Sequence, residues 1–484
     1  MGLLRRVYAW ISSPSETLRG KVIQSGFWAT LLNISDRALQ IGKLLFLAQL
    51  LSPTAFGIVG LATLSIAIGQ RITNLGLEPA LINHTSSDID ALLDTTWSVR
   101  LVQTLVLVGG LVFSAPLVAT FFQEPRVTPV LRLIAAGVLV EGLRNPSIVY
   151  FKKDLEFRKQ FVYVLSGRLV DVALAVSVGL LYQNLWALVA GIVAGKTVRT
   201  IMSYVLHDNR PSVSFKREHF DQLFGFGRWI WATGVIVFIA TTGDDTFVGW
   251  ALGAGALGLY QMAFRLSNAP ATEVTHVVSQ VMFPTYSKLQ EDTEALRNAF
   301  ERTIQILFTI VVPLSVGIYL VTPDFIRVGL GTNWMPAIVP MQIMALAGLF
   351  RAISASGGAV FQGVGRPDLD FKMNFIRSFV IVVSIWPLTE RLGITGAAVS
   401  ITIGIGLTIP FWLYQTQRIT RISRKKYIEL FTIPLLASIA MVPVVRYISS
   451  PSVVEIVFSI AAGATVYTIV YFCLFGINEK YKST

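Results

Sequence analysis

The sequence predicts an all-α membrane protein of about fourteen transmembrane helices, built as two six-helix lobes followed by a C-terminal helix pair. Three observations carry that prediction. The 484 residues are 53% hydrophobic and only 14% charged, where a soluble globular chain carries roughly 25% charged residues. Apolar runs of about 20 residues, each long enough to cross a hydrocarbon core of about 30 Å, recur from end to end. An internal repeat relates the two halves.

The runs fall at 27–51, 56–76, 97–121, 129–150, 162–183, 185–206, 224–250, 255–282, 301–321, 336–361, 371–389, 392–415, 428–447 and 453–475. This divides the chain into a cytoplasmic interfacial segment (1–26), an N-lobe (27–206), an inter-lobe loop (207–223), a C-lobe (224–415) and a terminal region (416–484) holding a basic loop, spans 13 and 14 and a tail. Residues 1–26 lack the long apolar core and small-residue cleavage site of a signal peptide. Leu3, Leu4, Val7, Tyr8 and Trp10, among Arg5, Arg6, Arg19 and Lys21, suit a helix lying in the interface.

The repeat shows at three places in the same order. LSPTAFGIV at 51–59 matches LGAGALGLY at 252–260, Trp28-Ala29-Thr30 is echoed by Trp231-Ala232-Thr233, and DLEFRKQF at 154–161 by DLDFKMNF at 368–375. Each half holds an even number of spans, so both enter from the same side and are parallel repeats, an arrangement that commonly places a substrate site on the shared axis near mid-membrane.

Placement of charge sets the expected orientation. The net charge is +12, and its Lys and Arg residues gather in alternate loops: Lys152, Lys153, Arg158 and Lys159; Lys216 and Arg217; Lys288, Arg297 and Arg302; Arg366 and Lys372; Arg418, Arg421, Arg424, Lys425 and Lys426; Lys480 and Lys482. By the positive-inside rule both termini are cytoplasmic. The loop after span 2, with Asp88, Asp90 and Asp94, is the inner one without a basic excess. Basic residues in this pattern serve topology and anionic-lipid contact, which excludes a nucleic-acid partner.

Against that apolar background the polar side chains within spans are the candidates for function. Charge at mid-membrane depth costs at least about 3 kcal/mol, so it faces a protein interior or a wet cavity. In span 8, Gln261, Arg265, Asn268, Thr272, Thr275, His276 and Ser279 recur at steps of three and four and share one face. Leu259, Met262, Ala263, Leu266, Val274 and Val277 make the other. A buried polar helix contact would produce the same stripe without any substrate. In span 1, Asn33, Arg37 and Gln40 share a face, with Asp36 and Lys43 beside it. Spans 4 and 5 carry Glu141, Arg144, Arg168 and Asp171. In span 7, Thr241, Asp244 and Asp245 lie about eight or nine residues from the outer end, and Arg265 about ten, so a rise of about 1.5 Å per residue sets them at similar depth.

A cationic interior suits an anionic passenger, because Arg forks match phosphate oxygens and low-dielectric walls strengthen the attraction. Arg37, Lys43, Arg71, Arg265, Gln261 and Asn268 are the expected substrate-binding residues. Asp244, Asp245, Glu273 and His276 are the expected coupling or gating groups, with H⁺ or Na⁺ as the coupled ion. Simpler explanations stand beside these. Arg71, Arg144, Arg168, Arg199 and Arg228 lie within a turn or two of the inner interface, and Arg132 near the outer one, where an arginine snorkels without a substrate. Asp36 beside Arg37 makes a locally compensated pair. His276 serves equally as a hydrogen-bonded contact or a proton carrier. No catalytic residue, metal or bound cofactor is expected: there is no P-loop and no HExxH, and the single Cys473 supports neither a disulfide framework nor a Cys-rich metal site.

QLLSPTAFGIVGLATL (49–64) and NLGLEPALIN (74–83) resemble the first-half signature of prokaryotic oligosaccharide flippases. So do DDTFVGWALGAGALGLYQMAFRLSNAP (244–270), VMFPTYSKLQED (281–292) and NWMPAIVPMQIMALAGLFRAISASGGAVFQGVGRPDL (333–369) in the second half. The resemblance is to the polysaccharide transporter branch of the multidrug, oligosaccharidyl-lipid and polysaccharide exporter superfamily, and covers nearly the whole chain. It implies fourteen helices in two lobes with alternating access. It also implies outward flipping of a polyprenyl-(pyro)phosphate-linked oligosaccharide, for cell-surface polysaccharide assembly, in a prokaryotic plasma membrane. Lipid-linked oligosaccharide, membrane lipids and a glycan polymerase or glycosyltransferase are the implied partners. Arg265 matches the family's Leu-Arg-Leu-x-Asn pattern, and Asp244 the Asp-x-x-x-(Ile/Val)-Gly pattern ending at Val248-Gly249. The doubled Asp244-Asp245 and the pair Asp36-Arg37 match no family feature. Two other functions fit the same chain less well. A multidrug or cation antiporter would want an acidic cavity, and a membrane glycosyltransferase an outer loop longer than the about 15 residues present here.

Overall fold

The structure, a computed structural model, describes residues 18–75, 89–448 and 452–483. Most of the expected interfacial segment and most of NLGLEPALIN, with Asp88, lie outside the described residues, as do the side chains of Arg19, Asp90, Arg228, Lys480 and Lys482. All regular structure among the described residues is helical, as expected where a lipid solvent offers the backbone no partners.

The helices follow the expected spans: α1 (Leu18–Leu50), α2 (Pro53–Thr73), α3 (Ile89–Phe121), α4 (Val127–Gly142), α5 (Phe157–Tyr182) and α6 (Trp186–Val205). One helical stretch, Arg217–Lys288, is broken at Gly253 (φ 81°, ψ 179°) into α7 (217–252) and α8 (254–288). Then come α9 (Thr293–Phe325), α10 (Ile338–Gly363), α11 (Pro367–Leu392), α12 (Ile394–Thr420), α13 (Arg424–Ile448) and α14 (Val453–Ser483).

Among the described residues, eleven helices are long and apolar enough to cross a membrane, fewer than the expected fourteen. Asp36, Arg37 and Lys43 lower the hydropathy of α1, α4 is only 16 residues long, and one span, Thr241–Asn268, runs through the break at Gly253. The chain is a multi-pass membrane protein. Phe113, Leu117, Leu181, Phe371, Val382 and Phe458 are among many large apolar side chains left exposed, a surface for lipid.

The repeated motif makes its turn in two ways. Between α1 and α2, Ser52 caps the helix by accepting from the Ala55 amide at 3.3 Å, and Pro53 occupies the first turn, where its missing N–H costs nothing. Between α7 and α8 the positive φ of Gly253 does the same work without a cap. The two turns touch: a Cβ on Gly57 would lie 1.7 Å from the Ala254 carbonyl oxygen, and one on Gly255 would lie 3.2 Å from Thr54 Oγ1.

Two compact units result, Met1–Gly255 and Ala256–Thr484, so α7, expected to open the C-lobe, is counted with the first. In the first unit α5 and α6 approach closely through small residues. Gly191 and Gly195 of α6 leave room for Asp171, whose carbonyl oxygen would sit 2.6 Å from a Cβ on Gly191, a small-xxx-small contact. The second unit has an aromatic core of Tyr286, Phe300, Phe361, Trp412 and Tyr427. Gly357 lets Trp412 in, and Gly363 makes room for Tyr286. The terminal pair packs on α9, where Tyr467 donates to the Thr309 carbonyl at 2.6 Å and Thr309 Oγ1 to the Tyr471 hydroxyl at 2.9 Å.

Candidate functional site

The first unit holds a chain of buried charges between α1 and α5. Lys43 donates to both carboxylate oxygens of Asp171, at 2.8 and 2.7 Å. Arg168 bridges Asp171 at 3.1 Å and Asp36 at 2.6 Å, and Gln40 also donates to Asp36. Side-chain exposure is 14% for Lys43 and 7% for Asp171. Two cations thus face two carboxylates where little water reaches, and removing any one would leave an uncompensated charge.

This arrangement gives interhelical partners to three residues that the sequence singled out. Lys43, expected to bind substrate, is held by Asp171. Arg168, expected to snorkel, is committed to two carboxylates. Asp36 pairs with Arg168 across the helix interface, and Arg37 lies on the exposed side of α1.

On α8, in the second unit, the expected polar stripe splits. Arg265, Thr272, Glu273 and His276 are exposed and Gln261 is half-buried. Asn268 and Thr275 belong instead to the packed side with Ala263, Ser267 and Ala271. Each has a donor that bonds back within the helix: Asn268 Nδ2 donates to the Phe264 carbonyl at 3.2 Å, and Thr275 Oγ1 to that of Ala271 at 2.7 Å, while the Asn268 Oδ1 is buried with no hydrogen-bond partner among the described residues. Such back-bonding to the preceding turn lets a short polar side chain occupy a packed face. Opposite them Gly348 of α10 permits close approach, 3.4 Å from a Cβ there to Ala271 Cβ. Asn268, expected to touch substrate, lies on the packed side of α8, whereas Arg265 and His276, expected to face a protein interior or a wet cavity, are exposed. Val277, on the apolar face opposite the expected stripe, is exposed as well.

Asp244 and Asp245 are half-buried in α7, and Arg71 is half-buried in the last turn of α2. Asp244 and Arg265, expected at similar depth, belong to different compact units.

Some participants escaped the sequence reading. Lys196 of α6 is ion-paired with Glu141 of α4. Arg351 of α10 lies 5.1 Å above the Phe264 ring, within cation–π range. A lysine amid the small residues of Gly191–Thr200 was the available signal for the first; Arg351, in the quoted 333–369 motif, went unweighed. Asp94, read only as an acidic loop residue, accepts from the Ser212 amide at 2.9 Å and its hydroxyl at 2.6 Å, and ties the loop after α6 to α3. No cluster of His, Cys, Asp and Glu able to hold a metal occurs among the described residues.

Two curated relatives are similar over most of their length. The lipopolysaccharide biosynthesis protein WzxC of Escherichia coli is 22% identical, over 82% of this chain and 79% of its own. The succinoglycan biosynthesis transport protein ExoT of Rhizobium meliloti is 21% identical, over 94% and 92%. Among solved structures, the lipid II flippase MurJ in an inward closed conformation has a TM-score of 0.73 at 15% identity, covering 92% of this chain and 98% of that one; its likeness is one of fold. Residues 46–340, more than half of the chain, match the family described as "Polysaccharide biosynthesis protein", and the chain belongs to that family.

Proposed function

We propose that the protein is a flippase that moves a polyprenyl-(pyro)phosphate-linked oligosaccharide from the inner to the outer leaflet for polysaccharide assembly. The observation that carries this reading is the exposed Arg265 on a membrane helix of a chain in the polysaccharide biosynthesis family. An arginine at that depth is costly unless it meets water, protein or an anion, and a phosphate is the partner that its planar fork matches best. Arg37 and Arg71 act with Arg265 as electrostatic guides for the phosphate, and Gln261 contacts the sugars. Lys43 acts indirectly, by fixing α1 against α5.

Asp244, Asp245, Glu273 and His276 couple or gate transport, with H⁺ or Na⁺ as the ion and no bound cofactor. The setting is a prokaryotic plasma membrane, with both termini cytoplasmic, and a glycan polymerase or glycosyltransferase supplies or takes up the glycan. The chain performs no chemistry on it.

Proteoliposomes loaded with lipid-linked oligosaccharide test the reading. Protein-dependent exposure of the glycan to an added glycan-modifying enzyme supports it. Acceleration by a pH or Na⁺ gradient, lost in Asp244→Asn, assigns coupling to that carboxylate; gradient dependence retained in that variant removes Asp244 from the role.

A further inference from the structure

In the first unit, α2, α3 and α7 border an apolar groove of about 660 Å³, within the range of about 300–1,000 Å³ usual for ligand sites. On α3 its lining steps through Val106, Gly110, Ser114, Leu117 and Phe121. These lie three or four residues apart, so one continuous helical face supplies them. Ile68 of α2 lines the groove as well. Its hydroxyls are spent on their own helices. Ser65 donates to the Leu61 carbonyl at 2.8 Å, Thr73 to Gly69 at 2.9 Å, Ser114 to Leu111 at 3.5 Å and Thr246 to Thr242 at 3.3 Å. Hydroxyls bonded back in this way offer a headgroup no proton, so the described lining suits hydrocarbon.

Two glycines shape the groove. At Gly69 a Cβ would stand 2.5 Å from Leu107 Cδ1, so α2 and α3 close together there. At Gly110 a Cβ would meet nothing within 4 Å, and the missing side chain leaves width for a methyl-branched chain. From Val106 to Phe121 the groove runs about 22 Å at about 1.5 Å per residue. Phe121 ends the apolar run of α3, and its ring stacks on Trp250 of α7 at 6.4 Å. Starting there, a groove of this length passes the midplane of a hydrocarbon core of about 30 Å. A phospholipid acyl chain fills one leaflet, about half of that core; a polyprenyl chain has no such limit. At its other end the groove shares Thr73 and Leu107 with a cavity of about 250 Å³, whose lining is mostly polar and includes Gln70, Thr96 and Gln103. Arg71, in the same last turn of α2, is one of the residues assigned above to guide phosphate.

We propose that this groove holds the polyprenyl tail of the lipid-linked substrate as it loads, with the headgroup at the polar end. Polar groups at one end and hydrocarbon beyond the midplane match a lipid whose tail outreaches one leaflet. The identity of the occupant rests on the flippase reading.

The test uses the purified full chain in nanodiscs, with a polyprenyl phosphate that carries a diazirine at the far end of its tail. Photolabelling of wild type is expected within residues 106–122. Gly110→Leu should weaken binding at least about fivefold, the low end of the cost of overpacking a filled slot, and remove that labelling. The new Cβ has room and leucine is the better helix former, so the variant folds. Gly109→Leu, with equal room but outside the groove lining, should bind and label as wild type does. Labelling confined to other helices overturns the proposal, as does unaltered binding by Gly110→Leu. Displacement of the probe by equimolar phosphatidylglycerol would make this a slot for ordinary bilayer lipid and overturns it equally. If wild type exposes glycan in vesicles while any of these results holds, the flippase reading stands without the groove. Labelling of the groove with no glycan exposure would sink the flippase reading and keep the prenyl site.

Discussion

Asp171 holds a demanding position in the first unit. Two glycines of α6 close over it while Lys43 and Arg168 neutralise it. Asp171→Asn leaves both cations under-compensated, and a loss of about 3–5 kcal/mol is expected from breaking a buried pair. The loss should appear as a lower thermal midpoint in detergent. Lys43→Met combined with Asp171→Leu should recover part of it, since apolar replacement of a whole pair is often neutral. An undiminished midpoint in Asp171→Asn would show that water reaches the pair.

Outside the spans the pairing is plainer. Hydrogen bonds from Arg366 at 2.8 Å hold the Asp368 carboxyl down to about 2, and Arg126 lowers that of Glu124. For a depressed carboxylate the contribution to stability is present above the ordinary value and fades as pH falls through the folded one. For Asp368 that window is about pH 4 to 2, so at neutral pH the pair is intact. Carboxyl resonances of the Arg366→Gln variant should show Asp368 titrating closer to an ordinary aspartate.

At the level of helices, the turn motifs and the polar faces were legible to different degrees. Apolar length located most of the helices, because a bilayer imposes one length on every crossing, and eleven among the described residues are long and apolar enough to cross. The repeat located both outer turns, and Ser52-Pro53 and Gly253 make them by local means that residue type announces. Which residues of α8 pack was less legible. Periodicity alone put Asn268 and Thr275 with Arg265, because a helical wheel does not distinguish a short side chain that bonds its own backbone from one that needs a partner. The pairing of Asp36 with Arg168 and of Asp171 with Lys43 was also hidden, for these partners lie about 130 residues apart on different helices, a contact that no local pattern encodes. Gly57 offers the sharpest test at this scale. A Cβ there would stand 1.7 Å from the Ala254 carbonyl oxygen, so Gly57→Val must push the two turns apart. Overpacking of that kind costs about 1–3 kcal/mol, and a thermal midpoint equal to wild type would contradict the close approach.

Across the whole molecule, composition identified a membrane transporter and the motifs identified its family, while the passenger follows from chemistry. The exposed cation on α8 favours a phosphate-bearing substrate, whereas a cationic drug would be repelled by it. Arg265→Ala should therefore lose transport with folding and membrane insertion preserved, because the side chain is exposed and sits off the packed face of its helix. Its thermal midpoint should match wild type.

The most direct measurement compares two cargoes in the same reconstituted vesicles, for wild type and Arg265→Ala at matched incorporation. One cargo is a lipid-linked oligosaccharide followed by its exposure to an external glycan-modifying enzyme, and the other a cationic dye followed by efflux. The flippase account predicts glycan exposure by wild type, background levels for Arg265→Ala, and no dye efflux by either. Dye efflux with no glycan exposure would contradict it and identify a drug–cation antiporter on the same scaffold.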